Sequence, residues 1–189
     1  MASLADPAEC HRRRALLAAP HMAPLADFTA RLRERWPGLV PDLDPVDGGT
    51  MARVLLLLEK PGPQAARTGF VSRDNPSPTS AALRAFLAEA GLPRGETAVW
   101  NAIPAWNGTI ALSAAERRDG PGHLSGLFPL LPQLDTVILV GRQAQRAEAM
   151  LPSGLTVLRS PHPSPQVRAA FPDRWAGIPQ LWAAARRTA

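Results

Sequence analysis

The chain of 189 residues contains one cysteine, Cys10, and one lysine, Lys60. A single thiol can form neither an internal disulfide nor a cysteine-held zinc or iron–sulfur site, and it suits a reducing compartment. No apolar run approaches the roughly 18 residues that a membrane span needs, and the Ala-rich N-terminus lacks the unbroken apolar segment of a signal peptide. A soluble, intracellular protein is therefore expected, with no membrane partner. Internal repeats and low-complexity tails are absent too. His11, His21 and His123 fall outside any ligand spacing and read as surface or structural residues, so neither a metal nor a cofactor is expected. The length suits one domain with a sizeable core.

What the chain has in quantity is arginine. The formal charge is +5 and the sequence pI about 11.1, a balance that permits binding to a polyanion such as nucleic acid. Part of that pI reflects arginine standing in for lysine, as a coding bias would produce. Against that background Lys60, the one lysine among 21 basic residues, stands out.

Val54-Leu55-Leu56-Leu57-Leu58 is a run of five aliphatic residues between Gly48-Gly49 and Pro61-Gly62-Pro63, as expected of a central parallel strand buried on both faces. Before it, Asp6-Pro7 caps a short helix that Pro20 stops. Leu25, Phe28, Leu32 and Trp36 give a second helix one apolar face, and residues 41–50 read as a loop. After the central strand, Gln64 to Pro78 shows no periodicity and reads as a long ordered loop. Ser77 caps a helix that ends at Gly91. Thr97 to Trp100 is a strand ending in Asn101, and Ser113 and Glu116 have capping-box spacing. Thr136–Val140 and Leu155–Leu158 are strands separated by a helix from Arg142 to Met150, and Pro172 to Arg187 forms a terminal helix. The alternation predicts an α/β fold, a three-layer α/β/α sandwich around a parallel sheet of about four strands. Residues 1–49 would form an N-terminal helical cover and 50–189 the core of a single domain.

Three of the four strands run directly into loops rich in proline and polar groups: Glu59-Lys60-Pro61-Gly62-Pro63, Asn101-Ala102-Ile103-Pro104-Ala105-Trp106-Asn107, and Ser160-Pro161-His162-Pro163-Ser164-Pro165-Gln166. In a parallel sheet they open at one edge, the carboxyl edge, where ligands bind in such folds. Proline lowers the cost of holding neighbouring polar groups in place.

This set resembles the uracil-DNA glycosylase superfamily over roughly residues 50 to 185. The first loop is similar to the family's Gly-Glu-Ala-Pro-Gly or Gly-Gln-Asp-Pro-Tyr segment. His162-Pro163-Ser164-Pro165 reproduces the His-Pro-Ser-Pro signature of its last motif. The resemblance implies a DNA glycosylase that flips a uracil out of single- or double-stranded DNA and hydrolyses its N-glycosidic bond in base excision repair. It implies a monomer that works without a cofactor in a bacterial-type cytoplasm, at the nucleoid during repair. The absence of four cysteines sets the chain apart from branches that hold an iron–sulfur cluster. On the resemblance, Phe70 stacks on the flipped base and Asn101 reads its edge. His162 donates to O2 as charge gathers on the leaving base, while Ser164 and Gln166 meet the backbone and the duplex. An asparagine amide, with one donor and one acceptor, suits the O4 and N3–H of uracil, where cytosine has the opposite polarity. Arg67, Arg73, Arg168 and Arg174 are candidates for phosphate contacts.

The chain departs from the family pattern at Lys60, where a water-orienting Asp or Asn is common. A protonated lysine is no general base, so Asp74 or Glu59 is expected to position the water. Alternation predicts that only one of Glu59 and Lys60 faces the pocket. Lys60 acting as an amine nucleophile, in a glycosylase with lyase activity, is a second possibility. Gly62, where some relatives carry Tyr, leaves room beside the base. The alternatives to a glycosylase are a damaged-DNA or uracil-binding protein that has lost catalysis, and a different small α/β hydrolase or nucleotide-processing enzyme.

Overall fold

The computed structural model describes residues 3–186. Helix α1 (Pro7–Leu16) starts at the Asp6 cap, and α2 (Ala23–Arg35) follows. Next come β1 (Asp42–Leu43), β2 (Val54–Leu58), α3 (Pro63–Thr68), β3 (Phe70–Val71), α4 (Pro78–Glu89) and β4 (Thr97–Asn101). After them lie α5 (Ala114–Asp119), α6 (Leu124–Leu127), β5 (Thr136–Val140), α7 (Arg142–Gln145), β6 (Thr156–Ser160), α8 (Pro165–Ala170), α9 (Pro172–Ala176) and α10 (Ile178–Ala183). The main sheet has four parallel strands in the order β4-β2-β5-β6, the α/β architecture expected from the sequence.

The reason β2 is central is visible in its composition. Leu55, Leu56 and Leu57 are fully buried, so both faces of the strand lie against side chains. Each such leucine contributes roughly 1.5–3 kcal/mol of burial. Trp100 of β4 points to one face, where Phe28 of α2 meets it edge-on at 6.1 Å and His123 accepts from its indole N–H at 2.9 Å. Ser160 of β6 lies one row further along the sheet and so points to the other face. There Trp182 of α10 donates to its hydroxyl at 2.9 Å, and Phe86 of α4 packs on Trp182.

Four local expectations are corrected. The stretch from Gln64 to Pro78 is not a continuous loop: Pro63 opens α3, Gly69 closes it at φ 85°, and β3 pairs in parallel with β1 in a small second sheet. Two-residue strands carry no readable period, which is why residues 41–50 also concealed β1. The segment from Arg142 to Met150 is α-helical only to Gln145 and continues as a 3-10 helix. The terminal helix breaks at Gly177 into α9 and α10, and its expected last residue, Arg187, lies outside the described residues.

Helix α1 is bound to the core mainly by charge. Arg13, almost fully buried, pairs with Glu9 at 2.7 Å, with Asp74 at 2.7 Å, and with Asp44. Arg94 adds contacts to Asp74 at 2.7 Å, Asp47 at 2.8 Å and Asp44 at 2.9 Å. Ser72 donates to Asp44, and its hydroxyl accepts from the Asp74 amide at 2.9 Å. Paired in this way, the buried charges escape the cost of an isolated ion.

Candidate active site

Trp100, Leu57, Leu139 and Arg159 form one register row across the sheet, and each strand ends one residue later, at Asn101, Leu58, Val140 and Ser160. All four strands therefore stop at the same level. The loops that leave them rise from a single edge, which brings the three proline-rich segments together. Pairing runs slightly past the strand ends, as Ala102 N–H donates to Leu58 O at 2.7 Å and Ile103 N–H to Glu59 O at 2.9 Å.

Asn101 is 2% exposed, yet its Nδ2 has no hydrogen-bond partner. A buried donor left unmet costs about 1–3 kcal/mol, so it calls for a ligand or a functional reason. It closes a fully buried strand, and no protein group accepts from its amide. Asn101 is thus an unused donor at the edge where the loops meet.

His162 is held from behind. The Ser160 hydroxyl donates to Pro161 O at 2.9 Å, and Gly141 N–H donates to Ser160 O at 2.9 Å. Gly141 has φ +91°, and a Cβ there would sit 3.3 Å from the Cβ of His162, so glycine lets the histidine lie against the end of β5. Burial pulls the His162 pKa below its usual value, so at neutral pH the ring is an uncharged donor and acceptor. Ser164 caps α8, accepting from Val167 N–H at 3.3 Å, and its own hydroxyl proton stays free to donate. Gln166 and Arg168 are exposed on α8. The Arg168 guanidinium lies 4.9 Å over the Trp175 ring, and that of Arg174 lies 5.6 Å over the exposed Phe171.

Lys60 is not poised as a nucleophile. Its side chain is 3% exposed and donates to Asn107 Oδ1 at 2.7 Å, to Glu116 Oε1 at 2.5 Å and to Ala111 O at 3.4 Å. With all three ammonium protons directed at acceptors, Lys60 fastens the 107–116 segment to the end of β2. Glu116 also closes the capping box with Ser113. Glu59 is half-buried. Burial raises its pKa while Arg117 and Lys60 draw it down, and the net shift is upward. Both Glu59 and Lys60 border Glu116, so alternation does not separate them. The strand ends at Leu58, and its period ends with it. Gly62 faces open space, with nothing within 4 Å of where a Cβ would stand.

Two residues expected at the site lie elsewhere. Phe70 is fully buried in a satellite cluster with Leu4, Cys10 and Leu17, so neither ring face is open to a base. Asp74 is 3% exposed and committed to Arg13 and Arg94. Burial raises its pKa, those two arginines outweigh that, and its carboxylate is unavailable to a water nucleophile. Arg73, offered for phosphate, is likewise buried, donating to Thr97 Oγ1 at 2.5 Å and lying 3.3 Å from Asp47. Arg67 remains exposed, bonded to Gln64. His123 is structural: it accepts from Trp100 and its Nδ1–H donates to Gly120 O at 2.6 Å. Burial lowers its pKa to about 4 although the Gly120 and Asn101 backbone groups oppose the shift.

Sequence reasoning missed Gly141, the Asn107–Glu116 acceptors of Lys60, and Gln143. Gly141 left a signal, as a glycine closing a strand; the others left none. Among the described residues no group of three or more His, Cys, Asp or Glu side chains is arranged to hold a metal, and no helix is long and apolar enough to cross a membrane. Comparison with curated proteins gave no match. A family model described as the uracil DNA glycosylase superfamily matches residues 45–186, a span that takes in the whole four-stranded sheet and every loop at its carboxyl edge. That family acts on DNA with glycosylase chemistry, and the chain belongs to it.

Proposed function

We propose that the protein is a monofunctional uracil-DNA glycosylase, a monomer that needs no cofactor and hydrolyses the bond between uracil and deoxyribose in cytoplasmic DNA. The observation that carries this reading is the buried, unpartnered Nδ2 of Asn101. A flipped uracil would give that donor its O4, and Asn101 Oδ1 would accept from N3–H. Cytosine at the same place would set donor against donor. A site built to pair a buried polar group rejects the base that leaves it unpaired.

His162, neutral and fixed against Gly141, donates to O2 as the C1′–N1 bond breaks and negative charge moves onto the base. Glu59 takes the role of water-positioning carboxylate. Its burial favours the protonated form and so strengthens it as a base, and Asp74 is withdrawn from the choice by its ion pairs. Ser164, Gln166 and Arg168, at the start of the helix that follows His162, serve the DNA backbone. Lys60 acts through the loop it fastens.

The test is incubation with an oligonucleotide carrying one uracil, followed by alkali cleavage and a gel. Cleavage at the uracil and none at a matched cytosine is the expected result. Retention of the uracil strand in a bound complex, with no free base, would instead identify a binding protein that has lost catalysis, the reading that the lysine at position 60 favours.

A further inference from the structure

Between the ends of β2 and β5 lies a second polar group without a partner. Gln143 is in the first turn of α7, which follows Gly141 and packs against β2, and its Oε1 is buried with no hydrogen bond. Together with Glu59, Ile103, Glu116, Arg117 and Arg146 it lines a cavity of about 10 Å³. That is close to the least room that admits one water, and such a water needs two or more polar partners to be held. Of the acceptors that line the cavity, Glu116 is already engaged by Lys60 and by Ser113 N–H, which leaves the Glu59 carboxylate and the Gln143 carbonyl for the two hydrogens of one water. The cavity lies beside the strand next to the one that ends in Asn101, and beside the strand whose closing glycine supports His162.

We propose that Gln143 is a water-holding residue of the glycosylase reaction, the partner of Glu59 in fixing the nucleophile; this rests on the uracil-excision reading given above. Gln143 Oε1 accepts one O–H of the water and Glu59 accepts the other. With both hydrogens held, an oxygen lone pair is left to face C1′. As the water oxygen bonds to C1′, its proton passes to Glu59. The electron pair of the C1′–N1 bond leaves on N1, and uracil departs as an anion stabilised by His162. A fixed water removes the orientational freedom that would otherwise oppose attack. The absence of a carboxylate or amide at position 60 is thereby made good from α7, the helix that follows β5.

The test is single-turnover excision from a uracil oligonucleotide by Gln143→Leu, Gln143→Glu, Glu59→Gln and the double variant Glu59→Gln/Gln143→Leu. Gln143→Leu is expected to slow excision by about 10- to 100-fold, the loss of one hydrogen bond at the reacting group. Its affinity for DNA carrying a cleavage-resistant 2′-fluoro-deoxyuridine should match that of wild type. Gln143→Glu keeps an acceptor oxygen, so it should retain most of the rate and shift the pH profile, which a packing role would not do. The double variant should be no slower than Glu59→Gln by more than a few-fold, because both residues act on the same water. Wild-type excision by Gln143→Leu, or losses that multiply in the double variant, would overturn the assignment while leaving uracil excision standing. Failure of the wild-type protein to release any uracil would overturn the parent reading and this one with it.

Discussion

Beneath α1, Arg13 and Arg94 converge on Asp44, Asp47 and Asp74, and each buried charge has an opposite charge within 3.3 Å. At the carboxyl edge of the sheet, Asn101 Nδ2 and Gln143 Oε1 are just as buried and meet nothing. The two regions have similar polarity and similar burial, and both hold polar atoms without a regular hydrogen bond, Asp47 among them; they differ in whether the protein sets an opposite charge against the buried group. Where it does, the groups hold α1 and the two small strands in place. Where it does not, the unmet capacity is available to something else, which on the proposed function is a flipped base and a water. Lys60 belongs with the first kind even though it sits at the second place: it is saturated by Asn107, Ala111 and Glu116.

The comparison can be broken most sharply at Asn101. Asn101→Ala removes a donor that nothing in the protein uses, so kcat/KM for uracil excision should fall by at least about 100-fold while Tm moves by no more than about 2 °C. Asp74→Ala should do the reverse. It leaves Arg13 and Arg94 without one of their partners, at a cost of about 3–5 kcal/mol, read as a fall in Tm of roughly 10 °C. The excision rate per folded molecule should hold. An Asp74 variant that kept its Tm and lost its rate would move that residue back into the site.

The third expected effect concerns pH. His123 has a pKa lowered to about 4 in the fold, so the unfolded chain takes up its proton first on acidification. Its contribution is fully present above the ordinary value of 6.5, is lost as pH falls toward 4, and amounts to about 3 kcal/mol across that window. Asp47 slopes the other way. Burial raises its pKa to about 7 against Arg73 and Arg94, so its contribution is full below 3.8 and is lost as pH rises through 7. Urea midpoints measured from pH 4 to 8 should show the acid-side slope flattened in His123→Gln and the neutral-side slope flattened in Asp47→Asn.

The smallest effect is expected at Lys60. Lys60→Met loosens the 107–116 segment without touching the reacting groups, so excision should slow by about tenfold rather than cease. Borohydride should trap no cross-link to uracil DNA with the wild-type protein. A trapped adduct that Lys60→Met abolishes would restore the amine nucleophile.

Much of this is legible in the sequence. The aliphatic runs of β2 and β5 announce parallel strands because both their faces are buried, and shared strand ends follow from parallel pairing. Asn101 and His162 were legible because each closes or follows a strand within a proline-rich loop. Phe70 and Asp74 were misplaced because their burial is decided by α1, some 60 residues away in the chain, and local spacing carries no trace of Leu4, Cys10 or Arg13 folding over them. The anchoring of Lys60 left no local signal for a similar reason, since its acceptors at Asn107 and Glu116 lie some 50 residues further along the chain. Gln143 is an ordinary polar residue in a short helix. Only its unmet oxygen, seen in three dimensions, distinguishes it.

The most direct measurement of the central claim is release of free uracil from a single-uracil oligonucleotide by wild type and Asn101→Ala, with a matched cytosine strand alongside and Tm recorded for both proteins. The account predicts uracil release by wild type, none of cytosine, and a loss of about 100-fold or more in the variant at unchanged Tm. Equal rates from the two proteins would contradict it.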